Sequence, residues 1–168
     1  MLSLLNDLEF PGAPSPDLQR QPAGFDLTCA AIARFTGTGA IDLTNTQRKL
    51  PELEALAWPE NGAASADQPA SLLLEPGGYL VTYNEEIGVP ADCAGIVLPR
   101  SSLMRCGATL HSALWDPGYR GRGQGLLTVF SPLTLYKDAR IGQFILLRLE
   151  AKADKTYAGR YQGENLNR

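Results

Sequence analysis

From residue 71 onward, the apolar positions fall in short runs that are separated by turn residues. Two runs flank Pro-Gly-Gly in SLLLEPGGYLVTYNEEIGVP, and five more follow: AGIVLP, ATLHSALW, GLLTVF, LTLYK and QFILLRLE. Gly, Pro and Asp break the chain between them. Short strands at such spacing are typical of an all-β barrel or sandwich.

The first seventy residues are less regular. GFDLTCAAIARF, residues 24–35, predicts a strand. Residues 1–20 predict an N-terminal arm that begins as a short helix or an extended segment and is interrupted by PGAPSP. The stretch between residues 36 and 70 is turn-rich, and we expect short strands there and a flexible tip at 60–68.

One short helix is predicted near residues 101–106, in SSLMRCG. Ser101 or Ser102 is expected to cap it, and Gly107 is expected to end it. Residues 157–168 are polar and without periodicity, which is typical of a tail that packs on another element or stays mobile. The chain has no internal repeat, and 168 residues suit a single domain, 1–168.

Composition narrows the possible functions. A net charge of −3 and a pI near 5.2 argue against a general nucleic-acid or membrane-surface binder, although local arginines can still hold a small anion. Three widely spaced cysteines predict reduced, buried thiols rather than a disulfide framework. One histidine excludes a multi-histidine metal site. No leader or membrane-spanning stretch is visible, so we expect a cytoplasmic protein.

LPRSSLMRCG, residues 98–107, has the groups that a phosphate needs. Two serine hydroxyls, backbone N–H groups at a helix start and the guanidinium groups of Arg100 and Arg105 converge at a predicted strand-to-helix junction. The alternative is a capped surface helix with solvated arginines.

WDPGYRGRGQGLL, residues 115–127, combines an acid, an aromatic residue and alternating glycines. Asp116 and Pro117 suit the first two positions of a type I turn, so Asp116 is either a turn residue or a general base aimed into a cleft. GRGQG lacks the spacing of a dinucleotide or phosphate loop. A bulged hairpin, with glycine supplying unusual φ angles, is our interpretation.

Four segments in order resemble the motifs of the dUTPase and dCTP deaminase superfamily: AGFDL (23–27), PRSSL (99–103), WDPGYRG (115–121) and RIGQF (140–144). The tail YAGRYQGEN (157–165) resembles the deaminase branch and its archaeal dUTPase relatives. The resemblance implies a distorted β-barrel or jelly-roll-like dUTPase fold. It also implies a homotrimer with active sites between subunits, and a deoxynucleoside triphosphate substrate with Mg²⁺ on its phosphates.

The resemblance also implies roles for individual residues. Asp116 matches the aspartate that activates water, and Tyr119 matches the aromatic residue that packs on the deoxyribose and excludes a 2′-hydroxyl. Backbone groups in the hairpin around Leu110, His111, Ser112 and Leu114 would read the base. The residues implied for the phosphates are Arg100, Ser101, Ser102, Arg105, Gln143, Tyr161 and Gln162. Asp26 is either structural or in contact with the metal through water.

The two branches of the superfamily need different groups. A dUTPase activates a water at the α-phosphorus, whereas a dCTP deaminase of this type uses a glutamate about ten residues beyond the third-motif aspartate. Here the positions to compare are Leu126 and Thr128, and no Asp or Glu lies between Asp116 and Asp138. The sequence therefore favours hydrolysis of dUTP to dUMP and pyrophosphate.

Two alternatives stay open. One is dCTP deamination, alone or combined with dUTP hydrolysis, with an acid such as Glu85 or Glu86 folded into the site. The other is a non-catalytic deoxynucleotide-binding regulatory module.

Overall fold

The structure, a computed structural model, describes residues 5, 8–59 and 69–166. Its two helices within these ranges are α1 (Pro16–Gln19) and α2 (Ser101–Arg105). The strands are β1 (Arg20–Gln21), β2 (Gly24–Phe35), β3 (Leu53–Leu56), β4 (Ser71–Leu74), β5 (Gly77–Tyr83), β6 (Ile87–Gly88), β7 (Cys93–Pro99), β8 (Ala108–His111), β9 (Arg120–Gly121), β10 (Gln124–Val129), β11 (Leu133–Tyr136) and β12 (Arg140–Arg148). The predicted all-β class and the short helix near 101–106 are confirmed. The predictions for residues 1–7 and for the tip at 60–68 lie outside the described residues, apart from Leu5, which is buried.

The strands form one large antiparallel sheet and two small ribbons. The large sheet has the order β7-β12-β2-β5-β10-β8, with β1 and β3 also paired to β2. The ribbons are β4 with β11 and β6 with β9. An isolated antiparallel bridge joins Gly95 of β7 to Trp115, just beyond β8, and so links the two end strands into a nearly closed barrel.

Period-two burial builds the core. In β5, Tyr79, Val81 and Tyr83 are buried and the positions between them are half-buried, because successive side chains point to opposite faces of a strand. β2 differs, since its first six residues are all buried. The N-terminal arm covers that end of β2: the rings of Phe10 and Phe25 stack at 3.8 Å.

The helix after β7 begins differently from the prediction. Arg100, not a serine, occupies the N-cap position, and no side chain caps α2. Gly107 does end the helix, with φ of +76°, a left-handed conformation that glycine adopts without strain. Two of the three free cysteines are buried as predicted, but Cys106 is exposed. No helix in the described part of the chain is long and apolar enough to cross a membrane.

Candidate active site

The turn that carries Asp116 is a type II turn. The amide of Tyr119 donates to the carbonyl of Asp116 at 3.1 Å, and Gly118 between them has φ of +81°. A positive φ at the third position distinguishes type II from the predicted type I, and Pro117 is compatible with both. Backbone hydrogen bonds with Val89 on either side hold the turn against the strand pair β6–β9. Asp116 itself is exposed.

Aromatic rings pack around the turn. The ring of Trp115 meets that of Tyr119 edge-on at 5.1 Å and that of Phe144 at 5.5 Å. The ring of Tyr119 meets that of Tyr157, from the tail, at 5.7 Å. Edge-to-face pairs of this kind are favourable arrangements of aromatic quadrupoles. Tyr119 is only 7% exposed, so its ring forms part of a rigid wall.

The alternating glycines make room for these rings, and the predicted bulge is wrong. Gly121, Gly123 and Gly125 all lack positive φ, and the pairing of β10 with β5 and β8 has no register shift. A Cβ at these three positions would lie 2.6 Å from the Tyr119 hydroxyl, 2.4 Å from the Trp115 ring and 2.3 Å from the Tyr83 hydroxyl, respectively. Real Cβ atoms do not approach so closely, and cores are packed without slack. Each of these glycines therefore leaves the space that an aromatic side chain occupies.

A cavity of about 270 Å³ lies beside the turn. Its walls are formed by Ala113, Leu114, Trp115, Asp116, Tyr119, Gly123, Gln124, Tyr157, Tyr161 and Glu164. The cavity thus brings together four residues that the sequence predicted for the site: Leu114, Asp116, Tyr119 and Tyr161. The other predicted site residues do not line it: Asp26, Arg100, Ser101, Ser102, Arg105, Leu110, His111, Ser112, Gln143 and Gln162.

The tail, residues 157–166, docks on the turn through backbone and amide groups. The amide of Gly163 donates to the carbonyl of Arg120 at 2.8 Å. The side-chain amide of Gln162 donates to the carbonyl of Gly118 and accepts from the amide of Arg120, both at 3.0 Å. Gln162 is therefore engaged with the turn in this structure rather than turned into the cavity.

Glu164 also lines the cavity, although no motif in the sequence predicted it there. Its carboxylate accepts a hydrogen bond of 2.8 Å from the hydroxyl of Tyr119. Burial raises the pKa of Glu164 above its ordinary value, and the hydrogen bond from Tyr119 opposes that rise. The same burial raises the pKa of Tyr119. The only sequence signal was the position of Glu164 directly after Tyr-Gln-Gly, which says nothing about where the tail docks.

A second cluster gathers residues that the sequence predicted for the phosphates and metal. The carboxylate of Asp26, fully buried, accepts from Arg100 at 2.9 Å, from Arg140 at 3.2 Å and from Gln143 at 3.4 Å. Burial raises the pKa of Asp26, and the two guanidinium groups oppose that rise. With both oxygens occupied, Asp26 orients the two arginines. The contact of Asp26 with a metal through water stays a prediction. The burial of Asp26 and its hydrogen bonds favour the alternative, a structural role.

The remaining predicted residues lie at the surface or in strands. Ser101, Ser102 and Arg105 on α2 are exposed, as is His111 in β8, which pairs with Leu126 of β10. Exposed hydroxyl and guanidinium groups remain available to a ligand from outside the chain. In the described part of the chain, no group of three or more His, Cys, Asp or Glu side chains converges as metal ligands.

The acids suggested for a deaminase lie outside the cavity. Glu85 is fully buried and accepts from the amide and hydroxyl of Thr28 and from Gln19. Glu86 forms an ion pair with Arg120. Neither residue lines the cavity that holds Asp116. The prediction that one of them folds into that cavity is therefore wrong.

Comparison with known proteins places the chain in a family. The family described as dCTP deaminase-like matches residues 5–149. A Methanosarcina mazei protein named "Probable deoxyuridine 5'-triphosphate nucleotidohydrolase" is 40% identical over 157 residues, which cover 92% of this chain and 87% of that protein. The deoxyuridine 5′-triphosphate nucleotidohydrolase of Methanocaldococcus jannaschii is 39% identical over 145 residues, with coverage of 86% and 88%.

The fold has a counterpart among solved structures. The 2′-deoxycytidine 5′-triphosphate deaminase of Agrobacterium tumefaciens superposes with a TM-score of 0.54 at 20% identity, over 86% of this chain and 45% of that one. Because the family match spans most of the sequence and the two relatives are matched over most of their own lengths, the chain belongs to the dCTP deaminase-like family.

Proposed function

We propose that the protein hydrolyses dUTP to dUMP and pyrophosphate. The observation that carries this proposal is Asp116, an exposed carboxylate on the wall of a cavity that Tyr119 also lines. The strand that follows, β10, offers Leu126 and Thr128 where a deaminase needs an acid. The names of the archaeal relatives support the same activity.

In the proposed reaction, Asp116 orients a water in line with the α-phosphorus and accepts its proton. The new bond joins the water oxygen to the α-phosphorus, and the bond from that phosphorus to the bridging oxygen breaks. Pyrophosphate leaves with the electron pair. Since a carboxylate is a weak base near neutral pH, positioning supplies much of the rate enhancement.

The sugar and base are proposed to lie along one side of the cavity. Tyr119 gives a flat, rigid surface for the deoxyribose, and Leu114 lies on the same wall. Backbone groups near Leu110, His111 and Ser112 would read the base. The side chain of Leu110 is buried in the core, so only its main chain is available for this contact.

The phosphate contacts are proposed to come from a second subunit of a homotrimer. Arg100, Ser101, Ser102, Arg105 and Gln143 all lie outside the cavity that holds Asp116. A neighbouring copy can bring its own set of these residues to that cavity, whereas Tyr161 is contributed by the docked tail. The apolar side chains that remain exposed on the barrel, such as Phe130 at 67%, are available to such an interface.

Complementation tests this arrangement. Asp116→Asn and Arg105→Ala are each expected to be inactive alone. Co-expressed, they should regain part of the wild-type turnover, because some sites in a mixed trimer receive Asp116 from one copy and Arg105 from another. Light scattering should give the mass of a trimer. No recovery in a mixed trimer would place both residues in a site within one chain.

Mg²⁺ is proposed to enter with the substrate. The cavity offers the carboxylates of Asp116 and Glu164 and no cluster of three ligands in the described residues, so most of the coordination would come from phosphate oxygens. When bound, the ion neutralises charge on the phosphates. Chelation with EDTA should abolish dUTP turnover, and added Mg²⁺ should restore it.

The predicted cytoplasmic location and the single-domain organisation are part of the same proposal. In that organisation, residues 1–20 form the arm and residues 157–168 form the tail.

The decisive assay incubates the purified protein with dUTP or dCTP and Mg²⁺. We expect dUMP and pyrophosphate from dUTP. Asp116→Asn should lose turnover by at least about 100-fold while still binding dUTP, since general-base catalysis contributes roughly that much. The matched control is Asp17→Asn, an exposed aspartate of α1 outside the cavity. Absence of dUMP with the wild-type protein would refute the proposal.

The alternatives have distinct outcomes in that assay. Release of ammonia from dCTP would indicate deamination, for which Glu164 is the acid that shares the cavity with Asp116. Stabilisation by nucleotides without any turnover would indicate a non-catalytic binding module.

A further inference from the structure

The contact between Glu164 and Tyr119 joins the tail to the cavity wall through side chains. The other hydrogen bonds that dock residues 162–165 involve a backbone group of the turn or of the segment that follows it. These backbone contacts fix the main chain of the tail: the amide of Arg122 donates to the carbonyl of Glu164 at 3.0 Å. The side chain of Glu164 is therefore delivered to Tyr119 by a segment that is already held in place.

Tyr119 is held from several directions. The ring lies edge-on to Trp115 and to Tyr157. Its hydroxyl rests above Gly121, where a Cβ would lie 2.6 Å away, and donates to Glu164. The aromatic contacts limit the tilt of the ring. The directional hydrogen bond to Glu164 fixes the position of the hydroxyl.

The carboxylate of Glu164 is unexpected at the wall of this cavity. In the proposed function the cavity receives a triphosphate, whose negative charge would repel Glu164. A hydrogen bond to an ionised acceptor is roughly twice as strong as one between neutral groups. The gain from holding Tyr119 with a charged acceptor explains a residue that phosphate binding alone would disfavour.

We propose that Glu164 is a positioning residue that fixes the hydroxyl of Tyr119 and thereby sets the preference for deoxyribonucleotides over ribonucleotides. This inference rests on the proposed function, in which Tyr119 packs against the sugar. A 2′-hydroxyl adds one oxygen to the sugar, and a ring that is free to shift by a few tenths of an ångström can accommodate it. A ring locked at both its edge and its hydroxyl rejects it.

The test measures affinity rather than turnover, so that its failure is distinct from failure of the proposed hydrolysis. The α,β-imido analogues of dUTP and UTP are titrated calorimetrically with Mg²⁺ present, and the ratio of their dissociation constants is the readout. Glu164→Ala and Tyr119→Phe should each lower the preference for the deoxy analogue about 10-fold, the scale of one charge-assisted hydrogen bond. The double variant should be no worse than either single variant, because both remove the same contact.

Two further variants separate positioning from tail docking. Glu164→Gln keeps an acceptor for the Tyr119 hydroxyl but removes its charge, so its preference should lie between those of the wild-type protein and Glu164→Ala. Asn165→Gly removes a docking contact, the hydrogen bond of 2.9 Å to the carbonyl of Arg122, and keeps a residue suited to the φ of +57° at that position. Its preference should stay near the wild-type value, even if trypsin cuts the tail faster after Lys155 or Arg160.

Four results would overturn the inference. Three concern the variants: an unchanged preference in Glu164→Ala, additive losses in the double variant, or an equal loss in Asn165→Gly. The fourth is a wild-type protein that binds both analogues equally. If binding behaves as expected but dUTP is not hydrolysed, the proposed reaction fails and the role of Glu164 in sugar selection stands.

Discussion

Gly123→Ala is expected to destabilise the fold by crowding Trp115. A Cβ at Gly123 would lie 2.4 Å from Cη2, 2.9 Å from Cζ2 and 3.1 Å from Cζ3 of the indole. The indole has little freedom to retreat, because its Nε1 donates to the hydroxyl of Ser112 at 2.9 Å and its ring packs between Tyr119 and Phe144. The added methyl must therefore displace the ring or the backbone.

The expected magnitude follows from two opposing effects. Overpacking a filled core costs about 1–3 kcal/mol. Replacing glycine by alanine also reduces the conformational entropy of the unfolded chain, which stabilises the fold by about 0.4–1 kcal/mol. The net change in the free energy of unfolding should be a loss of roughly 1–2 kcal/mol. Because Trp115 precedes Asp116, turnover of dUTP should fall as well.

Urea unfolding followed by far-ultraviolet circular dichroism measures this change. Gly88→Ala is the matched control, since a Cβ at Gly88 meets no atom within 4 Å. Without crowding only the entropic gain remains, so its stability should stay unchanged or rise by up to about 1 kcal/mol. In a Trp115→Phe background, which lacks the crowded indole atoms, Gly123→Ala should cost less than about 0.5 kcal/mol. An equal cost in both backgrounds would refute steric crowding by the indole as the cause.

Three other perturbations test the packing of buried groups. Asp26→Asn should lower the free energy of unfolding by about 2 kcal/mol. This is less than the loss for a fully buried ion pair, because Arg100 is one-quarter exposed and can be hydrated. A change under about 0.5 kcal/mol in urea unfolding would contradict a stabilising ion pair at Asp26. Phe10→Ala should cost about 2–3 kcal/mol through loss of the stack on Phe25, and a neutral result in thermal unfolding would show that the arm does not stabilise the barrel. Burial raises the pKa of Glu85 above its ordinary value of 4.5, so its contribution to stability is fully present below pH 4.5 and is lost as the pH rises through the folded-state pKa. The stability advantage of the wild-type protein over Glu85→Gln should therefore shrink with rising pH, and a constant difference between pH 4 and 8 would show that the pKa is not raised.

Local patterns in the sequence were enough for the strands and for the family. Strand periodicity and turn residues act over a few positions, so β2, β5, β10 and β12 could be predicted without long-range information. The ordered motifs around Asp26, Ser101 and Asp116 identified the superfamily, because each depends only on neighbouring residues. The end of α2 at Gly107 was predicted for the same reason.

The tertiary structure decided which groups meet. Gly121, Gly123 and Gly125 suggested a bulged hairpin, yet their role depends on aromatic rings brought from other positions along the chain. Glu85 looked available for catalysis, but Thr28, 57 positions earlier in the chain, holds it in the core. Glu164 reaches Tyr119 across 45 positions of sequence.

The backbone angles expected from the glycines also depended on the tertiary structure. The glycines of GRGQG suggested unusual backbone angles, whereas positive φ occurs at Gly118, one turn earlier. Steric and electrostatic environments are set by strand register and by where the tail docks, and no local pattern encodes either. The sequence by itself therefore determined the elements and the family, and only the folded chain determined the walls of the cavity and the partners of its acids.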